Sequence, residues 1–352
     1  AFTITPVDDS PTEIVPSGTT YDWGIPVSSP VGAITGGGAA DDQTSISQTL
    51  TNTTGEPATL TYTVTPDANG CKGDAFDIVV TVNPNGQVNA VADQTLCNGD
   101  STLAVTFATT NTGSGTTTYN WTNDNTVIGL AASGTGDISS FTATSSAVAP
   151  IVGNITVTPV YENNGVSCTG TAETFSITVN PSPLVNFSEA DQVIVTGETT
   201  TAVDLTSPTT GVTFAWTVSV PTGITGVTTL TGADNIPAET LINSTTQPLD
   251  VVYTAIATGD VGFDCEGLPT DYTVTVNPQA QVNPVDNQVV CNDENLTIEF
   301  STIVTGGTTT FSWTNDNTAI GLDATGTGNI DITAINTTDQ PLTANIVVTP
   351  SF

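Results

Sequence analysis

At one period of 97 residues the tripeptide Val-Asn-Pro recurs at Val82, Val179 and Val276. A cysteine precedes each at a constant distance, at Cys71, Cys168 and Cys265, and the four tryptophans, Trp23, Trp121, Trp216 and Trp313, follow at intervals of 98, 95 and 97. Self-similarity at a fixed period marks a tandem array in which each repeat must bury its own apolar face. The period divides the 352 residues into four expected modules, 1–84, 85–181, 182–278 and 279–352. Aligning the tryptophans starts the first module at its second strand and stops the fourth inside its sixth. Strand A of the one and strand G of the other are therefore expected to be missing, with further modules on both sides.

Within a repeat, apolar residues fall in short alternating runs rich in Val, Ile, Thr and aromatics, as in Leu60–Val64, Phe175–Val179 and Tyr272–Val276. That is strand chemistry, and no segment sustains a helical period between caps. Seven or so short strands in about 100 residues fit an immunoglobulin-like sandwich. The expected fold is all-β: a tandem array of immunoglobulin-like β-sandwich modules forming an extended rod. In the second module the pattern predicts strand A over 87–96, a turn at Cys97–Asp100 and strand B over 102–109. Strand C follows around Tyr119–Trp121, D and E within 127–147, F over 154–161 and G over 174–179. Pro181 ends the module, since proline cannot continue a ladder. An aromatic stands two residues before every tryptophan (Tyr21, Tyr119, Phe214, Phe311). Residues i and i+2 share a strand face, which predicts core roles for Trp23, Trp121, Trp216 and Trp313. The functional alternative is a ring platform for sugar.

Composition removes whole classes of function. The chain has 35 carboxylates, no histidine and a single basic residue, Lys72, for a net charge of −34. That excludes a Ser-His-Asp triad, an arginine clamp on phosphate and a histidine-ligated metal. The field also has the wrong sign for nucleic acid. No apolar run approaches the roughly 18 to 20 residues that cross a bilayer, so no membrane span is expected. The absence of an initiating methionine and of a signal peptide predicts a processed protein or a piece of a larger one. Two acids suffice for a glycosidase, but nothing marks such a pair, and the chain is not expected to be an enzyme. Roughly one residue in five is threonine, so the seven Asn-x-Ser/Thr sites (Asn52, Asn120, Asn154, Asn186, Asn243, Asn295, Asn336) are expected by chance. Asp100-Ser101-Thr102 fits a bacterial O-glycosylation pattern weakly.

Acid clusters at Asp8-Asp9, Asp41-Asp42, the Asn-Asp-Asn turns 123–125 and 315–317, and Asp293-Glu294 have two readings. Calcium takes six to eight oxygen ligands, which makes Asp124, Asp316, Asp293 and Glu294 candidate ligands; tight-turn chemistry accounts for the same residues. No cofactor other than calcium is suggested. The cysteines fit a disulfide framework better than a metal site. Cys97 and Cys291 fall in the A–B turn, where the third module has Val195, and Cys71, Cys168 and Cys265 fall in the F–G turn. Those turns lie at opposite ends of a sandwich, roughly 25 to 30 Å apart, whereas a bridge needs Cα atoms within about 7 Å. The pairing expected is Cys97 with Cys265, a staple between successive modules. Cys71, Cys168 and Cys291 are then left free or paired elsewhere.

Several phrases together resemble a known family. Val-Asn-Ala-Val-Ala-Asp-Gln-Thr-Leu-Cys-Asn-Gly (88–99), Asn-Trp-Thr-Asn-Asp-Asn (120–125) and the recurring Val-Asn-Pro are similar to PKD-like, immunoglobulin-like repeats of giant surface proteins of Bacteroidota. The best known are gliding-motility adhesins exported by the type IX system. The similarity is close in the second and fourth modules and loose in the third. It implies a thin fibre at the bacterial cell surface, outside the cell, whose repeats form a stalk with neighbouring modules of the same chain as partners. The external surface or polysaccharide it meets is not named by the sequence, and the family offers no catalytic residues to carry over. The alternatives are a carbohydrate- or calcium-dependent binding module of a secreted polysaccharide-active protein, or a self-assembling surface filament subunit.

Overall fold

A computed structural model describes residues 1–8, 14–259 and 264–352 of the chain. It divides into two compact units, 1–181 and 182–352. Each unit holds two separate hydrophobic cores, and each core contains one tryptophan. Apart from two single-turn 3-10 helices, every regular element among the described residues is a strand, so the chain is all-β as its alternation predicts.

The second repeat shows the plan. Strand F (Ile151–Asn163) runs antiparallel to strand C (Thr116–Asn123) on one side and to strand G (Glu173–Asn180) on the other. The short strand Gln94–Cys97 adds to G in parallel, and Ser133–Thr135 closes the far edge against C. The opposing layer is sparser, with bridges joining Ser101 to Thr142 and Val105 to Ile138. F and G alternate cleanly: Ile155, Val157, Tyr161, Phe175, Ile177 and Val179 point inward and are buried. This is the two-layered immunoglobulin-like arrangement that period-2 patterning demands. The third repeat repeats it, with Leu249–Gly259 between Val212–Ser219 and Thr270–Asn277, and Gln192–Val195 added in parallel.

Four local expectations differ from the structure: strand B, expected over 102–109, forms no continuous ladder there and is reduced to single bridges at Ser101 and Val105. Strand A covers Gln94–Cys97 rather than 87–96, because 87–93 makes scattered bonds, such as Gln87 N–H to the Asn111 side chain and Asn89 N–H to the Ala108 carbonyl, instead of a ladder. The segment expected to open strand D forms the 3-10 helix Thr126–Ile128, ended by Gly129 at φ 97°. Cys168 sits not in an open turn but in Val166–Thr169, a short strand folded back onto F.

Repeats within each unit meet at equivalent contacts. Thr112 N–H donates to the Gly55 carbonyl at 2.8 Å, and Thr305 N–H donates to the Thr246 carbonyl at 2.7 Å. At Gly113 (φ 91°) an added Cβ would lie 2.9 Å from Pro57 Cδ, and at Gly306 (φ 82°) 2.7 Å from Pro248 Cδ. In the first unit Asn83 and Asn163 exchange amide bonds across the junction, and Asn111 Nδ2 reaches the Gly55 and Asn85 carbonyls.

Candidate functional site

The Asn-Asp-Asn turns are the most densely bonded polar clusters among the candidates. After strand C the chain must reverse over the end of strand F, and three consecutive side chains hold it there. Asn123, 6% exposed, donates to the carbonyls of Asn125, Leu130 and Ala131 and accepts from Asn125 N–H. Asn125 caps the 3-10 helix by accepting from Val127 N–H and donates to the Val152 carbonyl. Asp124 faces the other way: Oδ1 accepts from Asn154 N–H at 2.7 Å and Oδ2 from Asn154 Nδ2 at 2.8 Å. Asn315, Asp316 and Asn317 reproduce every element, Asp316 gripping Asn345 at 2.7 and 2.8 Å. Both carboxylates are held below the usual range by the Asn side-chain amide first and its backbone N–H second.

A carboxylate whose folded-state pKa is depressed adds stability above its unfolded pKa, about 3.9, and loses it as pH falls through the folded value. The unfolding midpoint is expected to drop with acidification below about pH 4, and more steeply in the wild type than in an Asp124→Asn/Asp316→Asn double variant. Equal slopes in denaturant titrations across pH 2.5–6 would remove these two groups from the account.

Asp293 and Glu294 belong to the A–B turn. Glu294 Oε2 accepts from Cys291 N–H at 2.8 Å, as Asp100 does from Cys97 (3.1 Å) and Glu198 from Val195 (2.8 Å). The acid therefore caps the turn whether or not a cysteine is present. Asp293, at φ 65°, accepts from Asn292 Nδ2. Asp42 N–H donates to Asp22, which also pairs with Lys72 at 3.4 Å. Asp8 is exposed, and its neighbour Asp9 lies outside the described residues. Among the described residues no three His, Cys, Asp or Glu side chains gather closely enough to hold a metal ion.

The four indoles are 3–7% exposed and sit at the centre of their cores. Trp23, Trp216 and Trp313 donate to the carbonyls of Gly38, Asp234 and Gly328, while Trp121 Nε1 is buried without a partner. Edge-strand glycines lie flat on three of them: a Cβ at Gly134, Gly232 or Gly326 would come 2.2–2.5 Å from an indole carbon. Phe76 is the one exposed aromatic ring among the described residues, so no ring platform for sugar forms on them. Cys97 and Cys265 are disulfide-bonded, and Cys71, Cys168 and Cys291 carry free thiols.

Sequence reasoning missed several working residues. Glu239, 5% exposed, takes hydrogen bonds from Thr228 N–H, Thr228 Oγ1, Thr229 N–H and Tyr253 Oη, and pins the loop at 228–229 to the strand that carries Tyr253. Asp93 and Asp191 accept from strand-G amides at Ser176 and Thr273. Gln94 and Gln192 bond both main-chain groups of Leu103 and Thr201 through one amide. Asn52, Asn243 and Asn336 are not free glycan acceptors: each Oδ1 accepts from the Thr two residues on, and each Nδ2 donates to a main-chain carbonyl. The Asn-x-Thr signal was present, but it encodes an Asx turn.

Residues 4–86 and 192–280 match the model of a PKD-like domain. No curated protein matches the chain. Among solved structures, the human desmocollin-1 ectodomain is similar over 95% of this chain and 71% of its own, at 10% identity and a TM-score of 0.33. Mouse cadherin-23 EC22-24 is similar over 77% and 89%, at 14% identity and 0.32. Titin domains I67-I69 are similar over 75% and 95%, at 12% identity and 0.28. The two matched stretches fall in the first and third repeats, and the strand plan makes the chain an all-β tandem array of immunoglobulin-like modules.

Proposed function

We propose that this chain is a run of structural stalk repeats from a very large bacterial cell-surface adhesin, of the kind used in gliding motility. The observation that carries the reading is where the reactive side chains go. The candidate acids Asp124, Asp316 and Glu294 grip backbone amides, the indoles fill cores, and repeats within each unit meet at equivalent contacts. Such a segment transmits position and force between neighbouring modules rather than performing chemistry. A net charge of −34 favours separation of the modules and keeps them soluble. With Lys72 as the one basic residue, trypsin finds a single site.

Disulfide-bonded cysteines support a location outside the cell. The proposal includes a Cys97–Cys265 bridge, which a non-reducing digest reads as one cross-linked peptide. Recovery of Cys97 joined to Cys168 would overturn that part.

Small-angle scattering tests the stalk reading. Four modules in single file, about 35–40 Å each, give a radius of gyration of about 40 Å, against about 20 Å for a compact protein of this length. A value near the lower figure would end the proposal.

A further inference from the structure

Four Asn-Gly pairs occur in the chain, at 69–70, 85–86, 98–99 and 164–165. In such a pair the glycine main-chain nitrogen can reach the asparagine side-chain carbonyl, because no Cβ crowds the approach. Three of the four hold that nitrogen in a hydrogen bond. Gly86 N–H donates to the Cys168 carbonyl at 3.1 Å, Gly99 N–H to the Ala143 carbonyl at 2.8 Å and Gly70 N–H to Asp67 Oδ1 at 2.6 Å. Gly86 is also buried, and Asn98 Oδ1 is engaged by Ser145 N–H.

Asn164–Gly165 is the exception. It tips the hairpin between Ile151–Asn163 and Val166–Thr169, with Asn164 at φ 52° and Gly165 at φ 74°. Both residues are exposed, and among the described residues no hydrogen bond holds the Gly165 N–H or the Asn164 side chain. Glu162 stands two residues before Asn164, where Asp67 stands before Asn69, and its longer side chain makes no bond to the turn. The same hairpin forms the joint with the first repeat. Asn83 Nδ2 donates to the Asn163 carbonyl at 3.1 Å and to the Val166 carbonyl at 3.5 Å, while Asn163 Nδ2 donates to Asn83 Oδ1 at 3.0 Å.

We propose that Asn164 is a spontaneous modification site, and that its conversion loosens the joint between the first two repeats. The Gly165 nitrogen bonds to Asn164 Cγ; the bond from Cγ to the side-chain nitrogen breaks, and ammonia leaves carrying the proton that Gly165 gives up. Water then opens the resulting cyclic imide at either carbonyl, leaving an aspartyl or an isoaspartyl residue. Solvent is the one co-reactant. The isoaspartyl form puts an extra methylene into the main chain between Asn163 and Val166, the two residues whose carbonyls Asn83 spans. Either product adds a negative charge beside Glu162, in a chain already at −34.

The test ages the full chain in mildly alkaline buffer and reads each Asn-Gly pair by peptide mass mapping. Asn164 is expected to convert about tenfold faster than Asn69, Asn85 and Asn98, the factor set by opening one ordinary hydrogen bond. Asp67→Ala, which frees the Gly70 N–H, should raise Asn69 towards the rate of Asn164. Hydrogen exchange at Thr112, whose N–H crosses the joint to the Gly55 carbonyl, should quicken in step with conversion. It should stay unchanged in an equally aged Asn164→Gln chain. Conversion at Asn85 or Asn98 as fast as at Asn164, conversion at none of the pairs, or an unmoved Asn69 in the Asp67→Ala chain overturns the site. Conversion at Asn164 with unchanged exchange at Thr112 overturns its effect on the joint.

Discussion

Trp216→Ala is expected to destabilise the third repeat by about 3–5 kcal/mol, the range for removing a large aromatic from a core. The indole is 3% exposed, meets Tyr253 edge-on at 5.7 Å and donates to the Asp234 carbonyl at 2.7 Å. Collapse into the vacated space is obstructed because Gly232, on the edge strand, belongs to a β-ladder with Thr217 and Trp216. The loss should stay local. The four cores share no residues, so the other three tryptophans should report unfolding at their wild-type denaturant concentrations while the third repeat melts early. Trp216→Phe, which keeps most of the ring area, should cost less. A change under about 1 kcal/mol, or simultaneous loss of all four cores, contradicts the division into independent cores.

Glu239→Ala is the second large effect, expected at about 2–4 kcal/mol. It leaves four donors without an acceptor in a site 5% exposed: two amides, a threonine hydroxyl and the Tyr253 hydroxyl. Each stranded buried donor costs about 1–3 kcal/mol, moderated where water can enter. Burial and the adjacent Glu239 push the Tyr253 hydroxyl pKa far up, so the phenol remains a donor throughout the ordinary pH range. Glu239→Gln retains an acceptor towards the two amides and should recover much of the loss. Hydrogen exchange at Thr228 and Thr229 separates the outcomes. Faster exchange in the alanine variant only is expected; equal acceleration in both variants would show that the charged carboxylate rather than a neutral acceptor holds the loop, and acceleration in neither would show that these bonds do not hold it.

Much of the fold was legible beforehand. Strand character followed from runs such as Phe175–Val179, whose alternation is a local property with a two-residue period. Strand limits were less legible. Residues 87–93 look like strand, yet Gln87 N–H bonds the Asn111 side chain, a partner that no local pattern announces. The candidate site was the least legible part. Asp124 has both a calcium and a turn reading until Asn154 is seen 30 positions away, and nothing near Asp93 points to its donor Ser176, 83 positions on. Glu239 carried no signal, because its donors are main-chain amides and a tyrosine shared with many other arrangements.

The amino-acid order by itself therefore determined the repeat period, the β class and the aromatic centre of each core, since these depend on side-chain type and spacing along the chain. Only the tertiary structure decided what the acids and amides do. A carboxylate's role is set by which donors lie within about 3 Å of it, and those distances exist only once strands far apart in sequence are brought side by side.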